Sequence, residues 1–202
     1  MGVLPAVNLN KSLENDWKIN LKIESRQLLK EGVFSENSET NYEYILTDIA
    51  LVAAKKVGLN NALAGGYLLR FRNDQFFHRA IQQFTLTRRY AGLRLAQRFS
   101  ADQTFAKDEA TTFRLRYRLG VEIPLNGQSV DPQEFYLKIN NEYLGSLEDE
   151  ETDLEIRFVP LLGYEFTDNN KLEAGLDYRL DSFIGDDSRQ RFWGIVSWYV
   201  SF

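Results

Sequence analysis

The sequence predicts an all-β protein: a single ten-stranded antiparallel transmembrane up-and-down β-barrel over residues 17–202, with a short N-terminal tail over residues 1–16. Three observations lead there. Segments of period-two alternation recur from Trp17 onward, which is the pattern of strands and not of helices. Most of them exceed the roughly 5–6 residues usual in globular strands and reach the roughly 9–11 that a tilted membrane strand needs. The last one, RFWGIVSWYVSF, sets Phe192, Val196, Trp198, Val200 and Phe202 in one phase with Gly194 as the gap. Outer-membrane barrels end on such aromatic strands, and Trp198, Val200 and Phe202 are the residues expected to signal to the assembly machinery.

The elements follow in order. Trp17–Gln27 sets Trp17, Ile19, Leu21 and Ile23 against Lys18, Asn20, Lys22, Glu24 and Arg26. Glu43–Lys55 offers Ile45, Ile49, Leu51 and Ala53 opposite Asp48, though its second face is also fairly apolar. Ala62–Arg72 alternates Leu63, Tyr67, Leu69 and Phe71 with Arg70 and Arg72, and Phe77–Arg89 alternates more weakly. Leu93, Leu95 and Phe99 oppose Arg94, Arg98 and Ser100. Thr112–Pro124 is the cleanest run, with Phe113, Leu115, Tyr117, Leu119, Val121 and Ile123 facing away from Arg114, Arg116, Arg118 and Glu122. Phe135–Tyr143, Leu154–Phe166 and Leu172–Asp181 repeat the pattern before the terminal strand. Pro160 has no N–H for the ladder and predicts a bulge in the eighth strand.

Between these strands, long connections are expected at Leu28–Asn41, Ala101–Thr111, Leu144–Asp153 and Ser182–Ser188, and tighter ones at Val57–Asn61, Tyr90–Gly92 and Thr167–Asn170. Asn73–Phe76 and Leu125–Gln133 break that alternation of lengths. Barrels of this type have short periplasmic turns and longer outer loops, so an even strand number puts both chain ends on the periplasmic side. The start MGVLPAVNLN lacks a basic stretch and an apolar core, so it does not read as a signal peptide.

Composition narrows the function classes. With 202 residues one domain is expected, and a net charge of −5 gives no electrostatic basis for nucleic-acid binding. The absence of Cys removes thiolate catalysis, disulfides and zinc–cysteine sites. His78 is the sole histidine and lies in an apolar phase with no Ser or Asp in register, so no catalytic residue and no enzymatic activity is expected. The acidic run Glu148, Asp149, Glu150, Glu151 and Asp153 lacks the spaced ligands and glycine pivot of a calcium loop and reads as a solvated loop, with calcium bridging to lipopolysaccharide as the alternative. No metal and no cofactor is expected. The aromatics Trp17, Tyr44, Tyr90, Tyr143, Tyr164, Tyr178 and Trp198 suit interfacial girdles.

The polar phase carries the chemistry that remains. Arg94, Arg98, Arg114, Arg116, Arg118, Glu122, Glu142, Arg157, Asp177 and Arg179 all fall on it and are expected to form a charge network across a narrow or plugged lumen. The Arg114, Arg116 and Arg118 row is alternatively a site or pathway for a small anionic or zwitterionic ligand.

The stretch RLRYRLGVEIPLNGQSVDPQEFYLKINNEYLG, with Trp17, the Arg-rich strand Phe113–Ile123 and the step Asn140–Asn141–Glu142, resembles the Gram-negative outer-membrane proteins grouped as domain of unknown function 2490. The resemblance runs from about Trp17 to Phe202. It implies an outer-membrane barrel and brings no catalytic residues. The expected role is a non-enzymatic barrel, structural or accessory in the envelope, in the outer membrane of a Gram-negative bacterium. Its expected partners are outer-membrane lipid and lipopolysaccharide, the outer-membrane assembly machinery and an envelope protein complex. The alternatives are a narrow channel or carrier, and a soluble lipid-binding barrel with the apolar phase turned inward.

Overall fold

A computed structural model describes residues 1–30, 40–107, 109–149, 151–183 and 188–202. Among them lie eleven strands: β1 (Gly2–Ser12), β2 (Trp17–Lys30), β3 (Thr40–Lys56), β4 (Asn61–Arg72), β5 (Gln75–Tyr90), β6 (Leu93–Ala106), β7 (Thr112–Pro124), β8 (Glu134–Glu148), β9 (Glu151–Thr167), β10 (Asn170–Asp181) and β11 (Arg189–Ser201). Each pairs antiparallel with the next, and β1 closes the sheet by pairing parallel with β11. Following the pairings once round the barrel returns to β1 displaced by about 14 residues, a stagger that goes with strands inclined by roughly 35–45° to the axis.

The count is therefore eleven and not ten, and the added strand is the segment expected to be a tail. Residues 2–12 form β1, in register from Gly2↔Trp193 to Asn10↔Ser201. Its signal is weak because Val3 and Val7 face out while Leu4 and Ala6 face in, so both phases look apolar. Pro5 adds to this: it is paired toward β11, but the ladder to β2 skips Leu4 and Pro5.

An odd number of strands cannot close with antiparallel pairs alone, and the parallel seam moves a chain terminus. The Phe202 N–H donates to the Asn10 carbonyl at 3.0 Å, whereas Met1 accepts from the Leu29 N–H at 2.9 Å, so the two termini lie at opposite ends of the barrel. Placing both on one side was wrong for this reason. The expected difference in loop length also dissolves, because strands run further than their alternation showed. Residues 73–74 form a two-residue hairpin with both φ positive (49° and 58°), and only 149–150 separate β8 from β9. The connection expected at Leu28–Asn41 falls largely on 31–39, outside the described residues.

Pro160 does not produce the expected bulge. It stays in register opposite Ile139, and the β9–β10 ladder omits the pairs at Pro160 and Val159 without shifting. The one irregularity on that ladder is at Asn170/Lys171.

The apolar phase faces outward all round: Leu51, Leu63, Phe113, Leu115, Phe135, Leu176 and Val196 are exposed. That is the inverse of what a soluble lipid-binding barrel requires. The second apolar face of β3, with Leu46 and Ala50, turns inward, as do Leu4, Leu68, Tyr136, Leu144, Leu161 and Trp193. Two of these aromatics lie over glycines on the neighbouring strand. A Cβ on Gly2 would run into the Trp193 ring, and one on Gly163 into the Tyr136 ring. Gly163→Val is accordingly expected to cost about 1–3 kcal/mol by overpacking, read as the urea midpoint of the barrel in detergent micelles. Gly145→Val, at an outward site where a Cβ meets nothing within 4 Å, is the neutral control. Equal losses in the two variants would show that Tyr136 does not need the glycine.

Candidate functional site: an ionic network in the lumen

Alternation sends every second side chain of each strand inward, and register decides which of these meet. On β6, Ser100, Asp102 and Thr104 point into the lumen, opposite Arg116, Arg114 and Thr112 of β7. Asp102, 2% exposed, takes ion pairs from Arg114, from Arg116 at 3.1 Å and from Arg79 of β5 at 3.5 Å. On β8, Glu142 lies opposite both Arg118 and Arg157 and is 1% exposed. It receives Arg118 Nε at 2.6 Å, Arg157 at 3.2 Å and Arg116 at 3.8 Å. Arg157 also donates to Glu155 at 2.5 Å, and Arg179 reaches Glu155 at 3.9 Å and Asp177 at 2.6 Å. The result is one connected network across six consecutive strands, β5 to β10.

Trp193 continues it through β11. Its ring lies 5.9 Å from the Arg179 guanidinium and 5.2 Å from that of Arg26 on β2, a cation–π contact on each side. Further round the wall, Arg70 holds Asp48 through two bonds of 2.7 and 2.8 Å. This bidentate geometry fits the planar guanidinium to a carboxylate. A separate cluster has Glu173 fully buried, accepting from Tyr136 Oη at 2.9 Å and Lys138 Nζ at 2.8 Å.

The candidate residues thus divide. Arg114, Arg116, Arg118, Glu142, Arg157, Asp177 and Arg179 belong to the network. Arg94 and Glu122 form their own pair at 3.2 Å. Arg98 faces the lumen and makes no ion pair within 4 Å among the described residues. In the row Arg114, Arg116 and Arg118, read alternatively as a ligand site or pathway, each guanidinium is held by Asp102 or Glu142. Asp102, Arg79, Trp193 and Arg26 complete the site. Asp102 is hidden on sequence alone because Gln103, an outward polar residue, breaks the β6 alternation after Ser100; the continuing phase Ser100–Asp102–Thr104 is the signal that finds it.

Outside the lumen, Trp198, Val200 and Phe202 lie on the outward phase, with Trp198 Nε1 donating to Asn170 Oδ1 at 2.6 Å and Lys11 Nζ 5.0 Å from the Phe202 ring centre. His78 Nδ1 shares a hydrogen bond with the Tyr67 hydroxyl on the outward face, away from the charged lumen. Most of the acidic run lies in strands: Glu148 ends β8 and accepts from Thr112, Glu151 opens β9, Asp153 accepts from the Leu154 and Ser182 N–H groups, Asp149 sits in the connection, and Glu150 is outside the described residues. No cluster of three or more metal-binding side chains occurs among the described residues.

Long strands, an apolar exterior and a charged interior define the class as a closed, antiparallel-dominated β-barrel. Within that class the chain belongs to the family described as protein of unknown function (DUF2490), which matches residues 1–190 and so includes β1. No curated protein matches. Among solved structures, the chain is similar to an anion-selective porin from Comamonas acidovorans at 10% identity and a TM-score of 0.42, covering 93% of this chain and 53% of that one. The chain thus spans about half the length of that porin.

Proposed function

We propose that the protein is a small integral outer-membrane barrel, non-enzymatic, structural or accessory in the envelope, whose lumen is closed by its own ion pairs. One observation carries the closed reading: the network from Arg79 to Asp177 joins six consecutive strands, and its central acceptors Asp102 and Glu142 are out of contact with water. A row of charges lining a pathway would stay hydrated and available to a passing ion. Here Asp102 and Glu142 are each taken up by three guanidiniums, Glu155 by two and Asp177 by one. The outward apolar band supports contact with membrane lipid and lipopolysaccharide. The phase of Trp198, Val200 and Phe202 supports reading of β11 by the assembly machinery, and on this reading the Phe202 end is periplasmic.

Planar-bilayer recording tests the closed state. The wild-type barrel is expected to give a silent baseline without discrete openings at neutral pH. Reproducible ohmic steps of uniform size would replace this reading with the narrow-channel one.

A further inference from the structure

The lumen holds more cationic charge than it neutralises. In the connected network six guanidiniums (Arg79, Arg114, Arg116, Arg118, Arg157 and Arg179) share four carboxylates (Asp102, Glu142, Glu155 and Asp177). Arg98 adds another cation that makes no ion pair within 4 Å among the described residues and shares the field of Glu142 with Arg118, which it faces directly in the β6–β7 register. Like charges facing each other across a strand pair are destabilising unless a counter-charge lies between them.

A second observation is independent of this count. The buried lumen atoms without a hydrogen-bond partner are mostly donors: Nε of Arg26, Arg94, Arg98 and Arg116, Nδ2 of Asn8 and Nε1 of Trp193. The two acceptors in the same state, on Glu142 and Asp177, belong to carboxylates already in ion pairs, as Arg94 and Arg116 do among the donors. Arg26 and Trp193 lie toward the Met1 end, and Arg98 is the guanidinium of the Phe202 half that is in no ion pair within 4 Å among the described residues. Water accepts from such donors but brings no charge. An oxyanion supplies both, and guanidinium forks match its geometry.

Access has a direction. Side-chain exposure rises along β7 from 15% at Arg114 through 21% at Arg116 to 35% at Arg118, and reaches 42% at Arg94 near the start of β6. Both trends lead to the end of the barrel that carries Phe202.

We propose that this half of the lumen binds a small soluble oxyanion, a carboxylate, phosphate or sulfate group, between Arg98 and Arg118, entering from the Phe202 end. The barrel wall separates the site from the lipid headgroups, so the ligand comes from the aqueous phase. The site holds whether or not the lumen conducts, so bilayer recording and anion binding fail separately.

The test uses the full-length barrel in a lipid-free zwitterionic detergent, with inorganic phosphate exchanged for chloride at fixed ionic strength and heat unfolding followed by tryptophan fluorescence. The unfolding midpoint is expected to rise with phosphate. Arg98→Gln is expected to lose that rise entirely and to melt above the wild type in chloride, because an uncompensated cation has gone. Arg191→Gln, which removes a lumen cation paired with Asp181 at the opposite end of the barrel, keeps the rise. A wild type indifferent to phosphate overturns the proposal, and so does an Arg98→Gln variant that responds like the wild type. A rise that appears only with added phospholipid or lipopolysaccharide assigns the effect to headgroups and overturns it as well.

Discussion

Glu142→Gln is expected to destabilise the folded barrel by about 3–5 kcal/mol, the scale for removing one partner of a buried, multiply paired charge. Glu142 is the shared acceptor for Arg116, Arg118 and Arg157, on the strands either side of β8. Glutamine preserves the shape and one acceptor oxygen but removes the charge, leaving guanidiniums that already outnumber the carboxylates. Arg118, about a third exposed, is hydrated and loses least; Arg157 and Arg116 lose more. Urea unfolding in detergent micelles measures the change. Glu14→Gln, at an exposed position in the β1–β2 turn, is expected to stay within about 0.5 kcal/mol of the wild type. Glu142→Gln and Arg98→Gln should therefore move stability in opposite directions in the absence of added anion. A Glu142 variant as stable as the wild type would mean that the network is decoration on a barrel held by its ladders alone.

The wall of this barrel is legible in its sequence because the buried inner face and the apolar outer face both follow period two. Phe113 to Ile123 against Arg114, Arg116 and Arg118 states the facing of β7 without reference to any other strand. Pairing is not legible in the same way. That Arg116 divides itself between Asp102 and Glu142 depends on the register of β6, β7 and β8 together. That Trp193 lies between Arg26 and Arg179 depends on closure of the whole sheet. Single outward polar residues also mislead. Gln103 satisfies its amide against Gln82 across the β5–β6 ladder on the outer face, so a polar residue in the apolar phase marks no strand end there. β1 was missed for the opposite reason: its inward Leu4 and Ala6 fill the lumen, where a charged alternation was the expected signal.

Removal of residues 1–12 follows from that strand and is expected to cost at least about 5 kcal/mol. β1 supplies ladders to both neighbours at about 0.5–1.5 kcal/mol net per hydrogen bond. Leu4, 2% exposed, adds about 2 kcal/mol of burial. The remaining edges, β2 and β11, run antiparallel to each other and are able to pair directly, recovering one ladder of the two. Such a ten-stranded barrel would be narrower, and the inward Trp193 would lose its seat over Gly2. The expected readouts are a lower urea midpoint and a loosened Trp193 environment in the fluorescence spectrum. The same strand makes a topological prediction. In intact cells and permeabilised cells, a tag fused ahead of Met1 and one fused after Phe202 should be reached from opposite faces of the membrane, because β1 and β11 run parallel. Accessibility of both tags from one face, together with undiminished stability on truncation, would return residues 1–12 to the role of a tail and the barrel to ten strands.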